Sequence, residues 1–136
     1  MLEYRVSAKR VDDHGSVATT KSAEVLLDTD LEGRQDAFNP VELLLASLSA
    51  CILKGIERVA PMLKFEFSGV DVSLHAVRQD APPKLISIDY EIVVETNEPD
   101  RRLDLLHTNV RKYGTISNTL ADAVALNGAI RRKENP

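Results

Sequence analysis

Tryptophan is absent from this 136-residue chain, aromatic residues make up 4% of it, and cysteine occurs once, at position 51. A lone cysteine excludes an internal disulfide and every multi-cysteine metal site. His14, His75 and His107 lie far apart with no short ligand spacing between them, so neither a metal nor another cofactor is expected. Long uncharged apolar runs are also missing. The oiliest stretch, "VELLLASLSACIL", carries Glu42 and is too short to span a bilayer. Positive charge is not in excess: the net charge is -4, which argues against a nucleic-acid or anionic-membrane partner. The N-terminal "MLEYRVSAKR" lacks a basic start followed by an apolar run, so no secretory signal and a cytoplasmic, reduced thiol are expected. Gly33 and Gly114 are isolated and form no phosphate-binding loop, and Ser47 and Ser49 do not sit in a nucleophile elbow.

What is present is an ordinary soluble composition, 43% hydrophobic and 28% charged, on a chain of single-domain length. One domain over residues 1–136 is expected. Apolar residues alternate at Leu2, Tyr4, Val6 and Ala8, predicting a half-buried first strand over Leu2–Lys9. A turn at "DDHG" separates it from two short strands, "SVATT" and "SAEVLLD". Asn39, Pro40 and Glu42 have the spacing of a helix cap, a first-turn proline and a capping box. Val41, Leu44, Leu45, Leu48, Ile52, Ile56 and Val59 then recur at helical spacing up to Pro61, which is expected to end the helix. Leu43, Ala46 and Ala50 extend its apolar surface almost around the first half, as in a helix inside a large core or a dimer.

Downstream, "LKFEFSGVDVSLHAVR" predicts a strand with a bulge near Gly69, and "LISIDYEIVVE" a partner strand in a hairpin. "NEPDRRLDLLHTNVRKYG" predicts a second helix with Leu103, Leu106, Val110 and Tyr113 on one side and Gly114 as its stop. A short third helix capped by Ser117 follows, and a last strand returns through its tail or through "GAIRR". The fold class is α+β, with antiparallel strands on either side of a central helix.

Cys51 is the only nucleophile with a distinctive setting. A thiolate needs a nearby positive charge or a helix N-terminus, and Cys51 lies about three turns into its helix, so any activation must come from another segment. A buried, inert cysteine is the competing reading. Glu42 is already explained by the capping box, and Arg101, Arg102, Arg111 and Lys112 by a solvated helix face.

Two stretches, "NPVELLLASLSAC" and "KYGTISNTLADAV", resemble the OsmC/Ohr superfamily of small thiol-dependent peroxidases, and the resemblance covers nearly the whole chain. It implies an OsmC-like fold, with antiparallel sheets wrapped around a long central helix in an intertwined homodimer. It also implies reduction of a small apolar organic hydroperoxide by a peroxidatic thiolate matched by Cys51. In the family a resolving cysteine precedes a Pro-x-Ser or similar triplet, and the matching position here is Gly114. The family's acidic orienter follows the helix proline directly. That place is Val41, with Glu42 one residue later. The activating arginine is matched by Asp30 in one subgroup and by Arg10 in another, with Arg34 a looser choice. A negative Asp30 beside the thiol would disfavour the thiolate.

The candidate catalytic residues are therefore Cys51, Glu42 and Arg10, and two-cysteine turnover is expected to be absent. Two functions follow from the resemblance. One is a one-cysteine hydroperoxide reductase served by an external thiol or dithiol reductant. The other is a non-catalytic OsmC-fold protein that binds a small hydrophobic ligand or senses oxidation.

Overall fold

The computed structural model describes residues 1–135. Its elements run β1 (Ser7–Asp12), β2 (Gly15–Thr20), β3 (Ala23–Leu27), α1 (Pro40–Leu63), β4 (Gly69–Asp80), β5 (Pro83–Glu95), α2 (Asp100–Tyr113), α3 (Thr115–Ala121) and β6 (Ala125–Arg132). Among the described residues no helix is long and apolar enough to cross a membrane. Internal contacts divide the chain into two compact units, Met1–Ala46 and Ser47–Pro136.

In the first unit, β1, β2 and β3 form an antiparallel meander in that order. Its first turn is closed by Asp12, whose carboxylate accepts from the backbone N–H groups of His14 at 2.8 Å and Gly15 at 3.1 Å. β1 begins at Ser7 rather than Leu2, and it is exposed throughout. Leu2, Tyr4 and Val6 are 83%, 81% and 69% exposed. The alternation therefore precedes the strand, and its apolar residues stand in solvent in this chain. After β3 the loop folds around Asp28, whose buried carboxylate accepts from the N–H groups of Asp30 and Arg34, both at 3.1 Å.

α1 starts as its capping box dictates. Glu42 N–H donates to Asn39 Oδ1 at 2.9 Å, and Asn39 N–H donates back to Glu42 Oε1 at 3.0 Å. Pro61 does not end the helix, which runs on to Leu63. A proline in the last turn removes a single donor, and the helix stops one residue beyond Leu63 in a Schellman arrangement. Lys64 takes a left-handed φ of 51°, its N–H donates to the Pro61 carbonyl at 3.2 Å, and Phe65 N–H donates to the Ala60 carbonyl at 2.8 Å. Arg102 supports the same end by donating to the Leu63 and Lys64 carbonyls at 2.7 and 3.2 Å.

The second unit carries the main core. Leu48, Ile52, Ile56 and Val59 of α1, Ile88, Ile92 and Val94 of β5, and Leu103, Leu106 and Val110 of α2 are all buried. Each such side chain contributes about 1.5–3 kcal/mol by leaving water. Gly55 lets α1 approach α2 closely: a Cβ there would stand 3.0 Å from Val110 Cγ1. The sheet order is β4-β5-β6, with β4 and β5 an antiparallel hairpin. β6 instead runs parallel to β5, so the expectation of purely antiparallel sheets fails for this sheet. The connection explains it, since α2 and α3 provide the crossover that a parallel pair requires.

Three further expectations are corrected here. β4 begins at Gly69, and its register shift falls between Val77 and Arg78, so Phe65 and Phe67 precede the strand rather than a bulge within it. Tyr113 is 53% exposed rather than on the buried side of α2. α3 begins at Thr115 with Gly114 as its cap, and Ser117 lies inside it, buried. β6 spans both segments that were candidates for the last strand.

Candidate functional site

Cys51 is half-buried at the edge of the buried stripe of α1. Its sulfur faces Gly114, the residue joining α2 to α3: a Cβ on Gly114 would stand 3.3 Å from Cys51 Sγ. The same point lies 3.0 Å from Ser117 Oγ and 3.1 Å from the Val110 carbonyl oxygen. A thiol, a hydroxyl and a carbonyl therefore border one small volume inside the second unit. Among the described residues the Cys51 sulfur makes no hydrogen bond.

The backbone does not demand glycine at position 114. Gly114 does end α2, as expected, but its φ of -82° and ψ of 112° are open to any residue. What a small residue supplies here is room beside the sulfur.

Glu42 lies nine residues before Cys51 on α1, roughly two and a half turns away, and its carboxylate caps the helix. Arg10 lies on exposed β1, paired in register with Ser16. Arg34 is engaged by Asp36 through a two-pronged contact, Nε to Oδ1 at 2.6 Å and Nη2 to Oδ2 at 2.8 Å. Asp30 pairs with His14 Nδ1 at 2.7 Å, and that bond holds its carboxyl below the usual carboxylate range. Sequence reasoning did not single out Ser117 as part of the site, although it corresponds to the serine of the family triplet that follows the resolving position.

A second polar cluster in this unit joins β5 to α2. Arg111 Nη1 donates to Tyr90 Oη at 3.3 Å, and Tyr90 Oη lies 2.6 Å from His107 Nε2. Arginine can only donate, so Tyr90 Oη accepts from Arg111, and the donor in its bond with His107 Nε2 is set by the His107 tautomer. Burial lowers the pKa of His107, and the nearby Arg111 charge acts in the same direction. Gly128 leaves space for the Tyr90 ring, and Arg111 also donates to the Leu126 carbonyl at 2.9 Å. No group of three or more potential metal ligands is found among the described residues.

Comparison with known proteins places these features. No curated protein matches the chain by sequence. By structure, it is similar to an OsmC-like protein from Mycoplasma pneumoniae (TM-score 0.88, 19% identity, 98% of this chain and 99% of that one). It is also similar to a hypothetical protein from Aquifex aeolicus VF5 (TM-score 0.85, 17% identity, all of both chains). A third similar structure is an organic hydroperoxide resistance protein from Elizabethkingia anophelis (TM-score 0.75, 14% identity, 97% of this chain and 99% of that one). These likenesses establish the α+β OsmC fold with its long helix. The OsmC-like protein profile matches residues 33–127, a span holding α1, Cys51 and Gly114, and the chain belongs to that family.

Proposed function

We propose that this protein is a one-cysteine hydroperoxide reductase, in which Cys51 is the peroxidatic thiol and an external thiol is the reductant. The observation that carries this reading is the Cys51–Gly114 juxtaposition, in which a half-buried thiol faces the family's resolving position and finds no second sulfur there. An organic hydroperoxide resistance protein among the structural relatives supports the substrate class.

The Cys51 thiolate attacks the terminal oxygen of R–O–O–H. The O–O bond breaks, the sulfur becomes a sulfenic acid, and the departing alkoxide takes a proton from water to leave as the alcohol. One external thiol then displaces the sulfenic oxygen as water, forming a mixed disulfide. A second thiol releases Cys51 and carries the disulfide away. Arg10 and Glu42 enter as candidates for the activating charge and the acidic orienter. Glu42→Gln keeps a side chain able to cap, so a loss of rate in that variant, with an unchanged melting temperature, would assign Glu42 a role beyond the cap.

The test is stoichiometric. Adding an apolar hydroperoxide to the reduced chain without thiol should yield one alcohol and one oxidised cysteine per chain, and nothing in Cys51→Ser. Alcohol formation that survives in Cys51→Ser would refute the assignment.

A non-catalytic reading has its own support, because the capping role of Glu42 and the Arg34–Asp36 pair occupy two of the residues that could activate a thiol. Binding of an apolar ligand equally by wild type and Cys51→Ser, with no turnover, would favour it. We further infer a homodimer and a single domain over 1–136. Leu43, Ala46, Ala50 and Leu53 form a second apolar stripe on α1 that is not buried, and the match to whole chains of the relatives supports one domain. A reduced thiol is consistent with a cytoplasmic setting.

A further inference from the structure

Ser117 is 2% exposed, yet its hydroxyl takes part in none of the hydrogen bonds found among the described residues, and its oxygen is not sealed off. Because that oxygen stays open to solvent, the hydroxyl is free to donate to a group that arrives beside it. This hydroxyl borders the same point as the Cys51 sulfur, at 3.0 and 3.3 Å respectively, and that point would be filled by any residue larger than glycine at 114. The Gly114 backbone gives no conformational reason for glycine.

We propose that Gly114 and Ser117 form the seat of the oxygen that Cys51 acquires, with the Ser117 hydroxyl as hydrogen-bond donor to it. The inference rests on the peroxidase reading and adds a residue and a step to it. With hydrogen in place of a methyl group at 114, an oxygen bonded to Sγ fits on the Gly114 side. Ser117 O–H then donates to that oxygen, and the Val110 carbonyl is an acceptor for the sulfenic proton. When a low-molecular-weight thiolate attacks Cys51 Sγ, the S–O bond breaks as the new S–S bond forms. The oxygen leaves as hydroxide, stabilised by the Ser117 hydrogen bond, and takes a proton from solvent to become water. Ser117 keeps its own proton and is not consumed. Its effect falls on the reductive half of the cycle, where negative charge develops on that oxygen. The first half, in which the oxygen arrives, depends instead on the room at Gly114.

The experiment follows the one-oxygen adduct of the full chain by rapid-quench intact-mass spectrometry. The adduct is formed with an organic hydroperoxide and then reduced with a small thiol such as 2-mercaptoethanol. In Ser117→Ala, formation should proceed at the wild-type rate, while reduction slows about tenfold, the weight of one such hydrogen bond. In Gly114→Ala, formation itself should slow, because the added methyl group stands against the sulfur. Equal reduction rates in wild type and Ser117→Ala overturn the role of the hydroxyl, and wild-type formation in Gly114→Ala overturns the seat. A wild-type chain that gains no oxygen at all refutes the peroxidase reading and this inference together, an outcome distinct from either variant result.

Discussion

A glycine after "RKY" suggests a helix stop, and Gly114 does end α2, but with angles that any residue could take; what lies against it are Cys51, Ser117 and Val110. Sequence therefore located the position through its match to the family's resolving cysteine, while its physical meaning came from the contacts of a side chain it does not have. The geometry makes a direct prediction. A sulfur added at Gly114 would hang from a carbon 3.3 Å from Cys51 Sγ, near the separation of about 3 Å between a Cβ and the far sulfur that the S–S geometry of a disulfide gives. Gly114→Cys should form that bridge under mild oxidation, read as loss of both free thiols in the folded chain. Two thiols persisting after oxidation would contradict the placement. Cys51 itself was legible as a candidate from its helix. Ser117 was not, because "GTIS" reads equally well as a cap, and no sequence pattern reports that its hydroxyl borders the same point as the Cys51 sulfur.

Among the elements, α1 was read most fully, since capping residues and a helical apolar period are local signals. Asn39→Ala removes the acceptor for Glu42 N–H and should cost about 1 kcal/mol, measured by chemical denaturation. An unchanged midpoint would mean that the capping box contributes nothing. The helix end was misread because a proline in the final turn is tolerated, and the parallel direction of β6 was hidden because pairing direction is a tertiary property. The α2–β5 contact adds a pH dependence. His107 has a folded pKa below its unfolded value near 6.5, chiefly through burial, so the unfolded chain binds more protons just below that pH. Stability is full above about pH 6.5 and is lost as the pH falls from there through the lowered folded pKa. Thermal melts of His107→Gln should lose this part of the slope below neutrality. An identical pH profile in the variant would assign the acid sensitivity to other groups.

At the scale of the whole molecule, the sequence signalled apolar surface without saying what covers it. Leu2, Tyr4 and Val6 alternate like a buried strand face yet stand exposed, and Leu53 on the second stripe of α1 is 39% exposed. Under the homodimer proposed above, a second copy of the chain would cover both. Light scattering should give twice the 15.0 kDa of one chain, and Ala50→Glu, which puts a charge on the uncovered stripe, should shift the protein toward monomer. A stable wild-type monomer would remove the explanation for those surfaces. The central claim, however, concerns the thiol. Its most direct test is steady-state consumption of an apolar hydroperoxide by the purified wild-type protein with a small external thiol, set beside Cys51→Ser. The account predicts sustained turnover in wild type and the uncatalysed rate in Cys51→Ser, whereas equal rates in the two proteins would contradict it.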